Sequence, residues 1–223
     1  MIFTRIKFYY LVLVCILFSC EEKSYFEDAY CIENVNVIDP IEGLMEGMNV
    51  VIKGNKIFQI GKQEDLRLSQ KNNIIEGGKR YLIPGLWDSH VHFYFDRELA
   101  LHMPELFLSS GITSVRDTGG AFLYVDSIRK NALNHPKTHP RVKIAGPLID
   151  GNFNVYNGSF LPELSIRTRT VSESIEETER LVAQGVDFLK AYEMLSPEQF
   201  EAIAAIAARE NLRLAGHVPL SME

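Results

Sequence analysis

Two hydrophobic periods succeed one another along this chain, and the change between them falls near residue 82. Before that point apolar and polar residues alternate over short stretches, the period of a half-buried strand. Tyr30 to Ile38 sets Tyr30, Ile32, Val35 and Val37 against polar neighbours. Val50 to Lys53 and Lys56 to Ile60 flank Gly54-Asn55, which predicts a two-residue hairpin turn. Ile74-Ile75 and Tyr81 to Ile83 are further short strands. Residues 30–83 therefore predict a small β-sandwich domain, and they carry no nucleophile or metal cluster.

From Leu82 onward strand-like apolar runs alternate with helical stretches. The runs are Leu86–Phe93, Thr113–Arg116, Arg141–Ala145, Asp187–Ala191 and Arg213–His217. Thr170-Val171-Ser172-Glu173 predicts a capping box, and Gly185 closes the helix that it starts. Ser196-Pro197-Glu198-Gln199 predicts a second box with proline in the first turn. Phe200, Ile203, Ala204 and Ala207 then share the face that packs on a sheet. Repeated β-then-α units mean a parallel sheet with helical crossovers, either open and doubly wound or closed as a (β/α)8 barrel. No G-x-G-x-x-G loop follows the first strand, which weighs against a dinucleotide site. Periodicity leaves the two architectures open.

The first 19 residues follow neither period. Arg5 and Lys7 precede an apolar run from Phe8 to Phe18, shorter than the roughly 20 residues that span a bilayer, so residues 1–19 are expected to be a cleavable export signal. The run ends Leu17-Phe18-Ser19-Cys20, which resembles the lipobox of bacterial lipoproteins. That resemblance implies diacylglycerol on Cys20, a polar tether over 20–29, and an exported chain anchored to a bacterial membrane. An ordinary secretory signal with an accidental cysteine is the alternative, and Phe18 is bulky for its place in a lipobox. Losing Arg5 and Lys7 takes the net charge from −6 to −8. No basic stripe is present, so nucleic acid is not an expected partner. With Cys15 in the signal and Cys20 lipidated, Cys31 stands alone and no disulfide framework is available. At 223 residues and 46% hydrophobic content the chain has ample material for a core.

Candidate chemistry sits at the ends of the later strands. In Pro84-Gly85-Leu86-Trp87-Asp88-Ser89-His90-Val91-His92 the two histidines are two residues apart and face the same side of a strand. Two neutral imidazoles suit zinc or a similar divalent ion. A bare His-x-His is common by chance; its setting in Pro-Gly-Leu-x-Asp ahead of an apolar strand is what raises its weight. With that setting the sequence resembles the amidohydrolase superfamily, in its imidazolonepropionase and prolidase-like branch, from about Tyr30 to the end. The resemblance implies an α/β fold with a (β/α)8 barrel, His90 and His92 as metal ligands, and Asp88 as their support. It further implies that Lys190, in Val186-Asp187-Phe188-Leu189-Lys190-Ala191-Tyr192, is carboxylated by CO2 and bridges two metals, zinc by expectation. His217, in Leu214-Ala215-Gly216-His217, is the fourth implied ligand. Asp117, Gly119, Gly120 and Tyr192 are candidate substrate-loop residues, although glycines there serve a plain tight turn equally well. No Gly-Gly-His follows strand three, unlike some dipeptide-cleaving relatives. His102, His135 and His139 read as surface residues.

The same resemblance places a further histidine and a general-base aspartate beyond Glu223. From Leu82 roughly 140 residues remain, against ~250 for a complete barrel, so the expectation is an N-terminal part: signal 1–19, tether 20–29, β-domain 30–83, and five β/α units over 84–223. The expected activity is hydrolysis of a carbon–nitrogen bond in a small amide, cyclic amide or dipeptide through a metal-activated water. The alternatives are an inactive lipoprotein that keeps the fold as a binding module, and a mononuclear deaminase-type member.

Overall fold

A computed structural model describes residues 24–26, 29–68 and 73–222. The signal segment and Cys20 lie outside the described residues. The chain divides into two compact units, Met1–Pro84 and Gly85–Glu223.

In the first unit, β1 (Ser24–Phe26) pairs in parallel with β5 (Leu66–Leu68). Residues 24–26 thus form a strand where a tether is expected, in keeping with the β preference of Tyr25 and Phe26. The main sheet is built from β2 (Tyr30–Asp39), β3 (Gly43–Lys53), β4 (Lys56–Gly61), β6 (Asn73–Glu76) and β7 (Tyr81–Leu82). Its order is β4-β3-β2-β6, with β7 also pairing β2. The Gly54-Asn55 hairpin forms as predicted: Lys53 opposes Lys56, and Gly54 takes φ +62°, which glycine tolerates at no steric cost. Leu66 packs with Ala29, Cys31 and Val51 on one side of the main sheet. Val35, Val37 and Val50 form a separate cluster. Cys31 is fully buried, and burial followed by the charge of Glu33 pushes its thiol up to about 11. It is an inert core residue.

The second unit opens with β8 (Leu86–Val91), then helix α1 (Met103–Ser109), β9 (Ile112–Asp117), α2 (Phe122–Asn134) and β10 (Arg141–Ile144). These give a parallel sheet of order β10-β9-β8. After β10 the chain bends at Gly146, at φ +71°, and Pro147, then resumes as β11 (Leu148–Asp150). The sequence reading places 146–151 in a loop, but Leu148 and Ile149 are apolar and buried, and they extend the same strand position beyond the bend. Next come β12 (Ser165–Arg167), α3 (Val171–Ala183), β13 (Leu189–Ala191), α4 (Pro197–Arg209) and β14 (Leu214–Gly216), in a parallel sheet of order β12-β11-β13-β14. The two sheets meet where the Asp187 N–H donates to the Ile144 carbonyl at 2.8 Å while the Asp187 carboxylate accepts the Ile144 N–H at 3.0 Å.

Ser196 makes the predicted full capping box with Gln199. Thr170 accepts the Glu173 N–H as expected, but the Glu173 carboxylate accepts from Arg169, one residue outside the cap, at 2.7 Å. Ile203 and Ala207 of α4 are buried with Leu181, Leu189 and Ile149. Val91, Phe93, Val115, Val125 and Ile144 form the other core of this unit, each such side chain contributing ~1.5–3 kcal/mol on burial. Alternate residues of the strands pack outward on helices, and their neighbours face the opposite side. This is an incomplete (β/α)8 barrel, with five strand positions among the described residues.

Candidate metal centre

The C-terminal ends of the barrel strands gather the candidate residues. β8 is bulged: Asp88 opposes Val115 and Val91 opposes Asp117, so β8 has one residue more than β9 between these pairs. A bulge bends the strand and re-aims its side chains. Two contacts fix it, the Arg116 Nε–H donating to the Ser89 carbonyl at 2.9 Å and the His90 N–H donating to Asp88 Oδ1 at 3.1 Å. Asp88 therefore shapes the backbone under His90. The strand ends at Val91, one turn of the pleat earlier than its apolar run, and His92 lies just beyond it.

His90 and His92 converge, their Nε2 atoms 3.2 Å apart. His92 Nδ1 lies 3.2 Å from the Gly119 carbonyl, so Nδ1 carries the proton and Nε2 presents its lone pair. A Cβ on Gly119 would stand 3.1 Å from His92 Cε1 and 3.1 Å from Leu148 Cγ. The imidazole crowds that position, which is a different demand from approach to substrate. Burial lowers the pKa of both histidines, and the charges of Lys190 and His217 act in the same direction on His90. Both are held in the neutral form that binds metal.

Lys190 sits in β13, opposite Ala215 of β14, and is only 5% exposed. Burial first, then the Arg116 guanidinium, pushes its ammonium below the usual lysine range. His217 follows β14 directly, with Nδ1 2.6 Å from Glu193 Oε1 and its ring 4.6 Å from that of Tyr192. Glu193 thus turns Nε2 of His217 away from itself. His90, Lys190 and His217 line one cavity of about 620 Å3 together with Arg116 and Arg213. Among the described residues no group of three or more His, Cys, Asp or Glu is arranged to hold a metal ion. The donors that fit are the convergent His90–His92 pair, with Lys190 and His217 across the cavity.

The substrate-loop expectations fare unevenly. Asp117 has a structural duty. It is fully buried, and its carboxylate accepts the N–H groups of Phe93 at 2.8 Å and Gly119 at 3.0 Å, which fastens the β8 end to the following loop. Burial pushes its carboxyl up to about 7 against those two bonds. Gly120 adopts φ +150° against Tyr94, where a Cβ would lie 2.6 Å from the tyrosine's own Cβ. Tyr192 does flank the site, with Tyr156 5.7 Å away on its other side, and burial raises its phenol pKa. The sequence reading passed over Arg116, Arg213 and Glu193. A cation at residue 116 alternates with outward-facing Val115 and Asp117, and that alternation was the available signal.

Residues 81–223 match the amidohydrolase family. A dihydroorotase of Clostridioides difficile (strain 630) is 42% identical over 62 residues, covering 28% of this chain and 14% of that protein. An adenine deaminase of Clostridium perfringens is 24% identical over 200 residues, or 84% of this chain and 33% of that protein. The crystal structure of a Xaa-Pro dipeptidase with bound methionine in its active site aligns with a TM-score of 0.71 at 20% identity, over 86% of this chain and 57% of that one. The chain spans less than two thirds of the length of each of these relatives, and the structural likeness is one of fold.

Proposed function

The chain belongs to the amidohydrolase family, and from that premise we propose that it carries the metal-binding residues of a hydrolase acting on a carbon–nitrogen bond in a small molecule. The observation that carries this reading is the convergence of the His90 and His92 Nε2 atoms beside the cavity that Lys190 and His217 share. His90, His92, His217 and a carboxylated Lys190 are the residues that would hold two divalent ions, zinc by preference for imidazole and oxygen donors. Bound there, such ions would supply Lewis acidity, activating water and polarising the scissile carbonyl. Gly119 and Glu193 hold the imidazoles with Nε2 forward. Lys190, once carboxylated, would supply carboxylate oxygens as ligands. Tyr192 and Tyr156 form an aromatic wall beside His217. The carbon–nitrogen bonds cut by such chemistry include amides, cyclic amides and dipeptides. The substrate's leaving group is outside what these residues select.

The test is the metal content of the intact protein, compared with a His90→Ala/His92→Ala variant. The wild type is expected to retain two divalent ions per chain and the variant to lose them. Equal metal in both proteins removes the assignment and favours a binding module that keeps the fold.

A further inference from the structure

The carboxylate of Asp150, at the end of β11, is wholly out of solvent and accepts three backbone N–H groups. Its Oδ1 takes two of them, from Gly151 at 2.9 Å and from Met194 at 2.8 Å, while Oδ2 takes that of Val155 at 2.9 Å. Hydrogen bonds to an ionised acceptor are roughly twice as strong as neutral ones. The Gly151 backbone also presses on the same segment, since a Cβ there would stand 1.7 Å from the Met194 carbonyl oxygen. Both tethered segments lead to the candidate site. Met194 follows Glu193, whose carboxylate lies 2.6 Å from Nδ1 of His217. Val155 precedes Tyr156, whose ring stands 5.7 Å from that of Tyr192. Tyr192 is itself tied to β11, its N–H donating to the Ile149 carbonyl at 3.0 Å. One buried carboxylate therefore has two limbs, Oδ1 toward the support of an imidazole and Oδ2 toward the aromatic wall.

We propose that Asp150 is a positioning residue that sets His217 through Met194 and Glu193, and the Tyr156 side of the aromatic wall through Val155. Its bearing on function rests on the reading of His217 as a metal ligand, whereas the clamp is a property of the chain alone. The two limbs are separable by chemistry. Asparagine at 150 keeps one carbonyl oxygen, which is best placed on the side with two N–H donors. Its NH2 group, which cannot accept, then faces the Val155 N–H. Gly151→Ala leaves both carboxylate oxygens in place and instead drives a methyl group into the Met194 carbonyl. The first change should release the wall and spare the imidazole; the second should do the reverse.

The experiment is NMR of the intact, 15N-labelled protein, following the Nδ1–H of His217, identified by its loss in His217→Gln, and the amide exchange of Val155. Asp150→Asn is expected to keep the His217 signal and to speed Val155 exchange about tenfold, the scale of one hydrogen bond to a charged group. Gly151→Ala should weaken the His217 signal and leave Val155 protected. Asp150→Ala should lose both, and where either alanine variant fails to fold, Asp150→Asn decides. A His217 signal indifferent to a folded Asp150→Ala or Gly151→Ala overturns the Oδ1 limb. Equal loosening of His217 and Val155 in Asp150→Asn shows a general structural role and overturns the proposal, as does a Val155 amide that stays protected there. Added zinc tests the ligand reading separately. If Nε2 of His217 ignores zinc while Nδ1–H obeys the variants, the ligand assignment falls and the clamp stands.

Discussion

His92 owes its orientation to a glycine 27 positions later in the chain. The Gly119 carbonyl holds Nδ1, and the absence of a Cβ leaves room for the ring. Gly119→Ala puts a methyl group 3.1 Å from that ring, so the imidazole must shift off its hydrogen-bonded position. Supports of this kind are worth 10–100-fold in metal affinity, and the variant is expected to bind zinc at least ~10-fold more weakly in a chelator competition assay. Unchanged affinity would mean that the carbonyl merely accompanies the ring. Asp117 fastens the same corner from within. Its carboxyl is pushed from 3.8 up to about 7, so the folded state holds a proton more tightly than the unfolded chain. The stabilisation linked to that proton is complete below pH 3.8 and is lost as the pH rises through 7, at up to ~1.4 kcal/mol per unit between those limits. Denaturant unfolding from pH 4 to 8 should therefore show a steeper decline in wild type than in Asp117→Asn, and parallel curves would refute it. The His90-x-His92 pair was readable because a strand has a period of two. The duties of Gly119 and Asp117 were not, because they arise from the meeting of β8 with the loop after β9, and no local pattern encodes that meeting.

At the scale of elements, the legible parts were those whose signal is local. The Ser196 box, the Gly185 stop and the Gly54-Asn55 hairpin each depend on a few adjacent residues, and each forms. Gly146-Pro147 looks like an ending, so the sequence predicts a loop where β11 forms. Here the two residues bend a strand position that continues on buried Leu148 and Ile149. The caps matter to the site through α4, whose Gln199 is buried and donates to Thr168 and Ser174 at 3.0–3.2 Å while accepting the Ser196 N–H at 3.0 Å. This one side chain ties the start of α4 to the start of α3, on either side of the strand that carries Lys190. Ser196→Ala removes the hydroxyl that caps Gln199 and should cost about 1 kcal/mol. Gln199→Leu should cost more, ~2–3 kcal/mol, since it leaves buried Thr168 and Ser174 groups without their donor. Urea midpoints of the two variants give the comparison, and an equal loss would show that the network does no more than the cap.

For the whole molecule, the first 19 residues make a claim that the barrel cannot make, namely where the protein acts. They combine Arg5 and Lys7 with an apolar run too short to span a bilayer, then the Leu17-Phe18-Ser19-Cys20 sequence. Among the described residues no helix is long and apolar enough to cross a membrane; we propose a lipid on Cys20 as the attachment. Two acyl chains suffice for stable anchoring where one gives only marginal binding. Expressed in a bacterial host, the wild type is expected to partition into the detergent phase and to incorporate labelled fatty acid. Cys20→Ser should abolish the label and move the protein to the aqueous phase without changing its metal content, because the proposed ligands all lie in Gly85–Glu223. A Cys20→Ser protein that stays with the membrane would point to an uncleaved signal as the anchor, and an unlabelled wild type in the aqueous phase to an ordinary secretory signal. The two measurements separate address from chemistry: the label tracks Cys20, and the metal tracks His90 and His92.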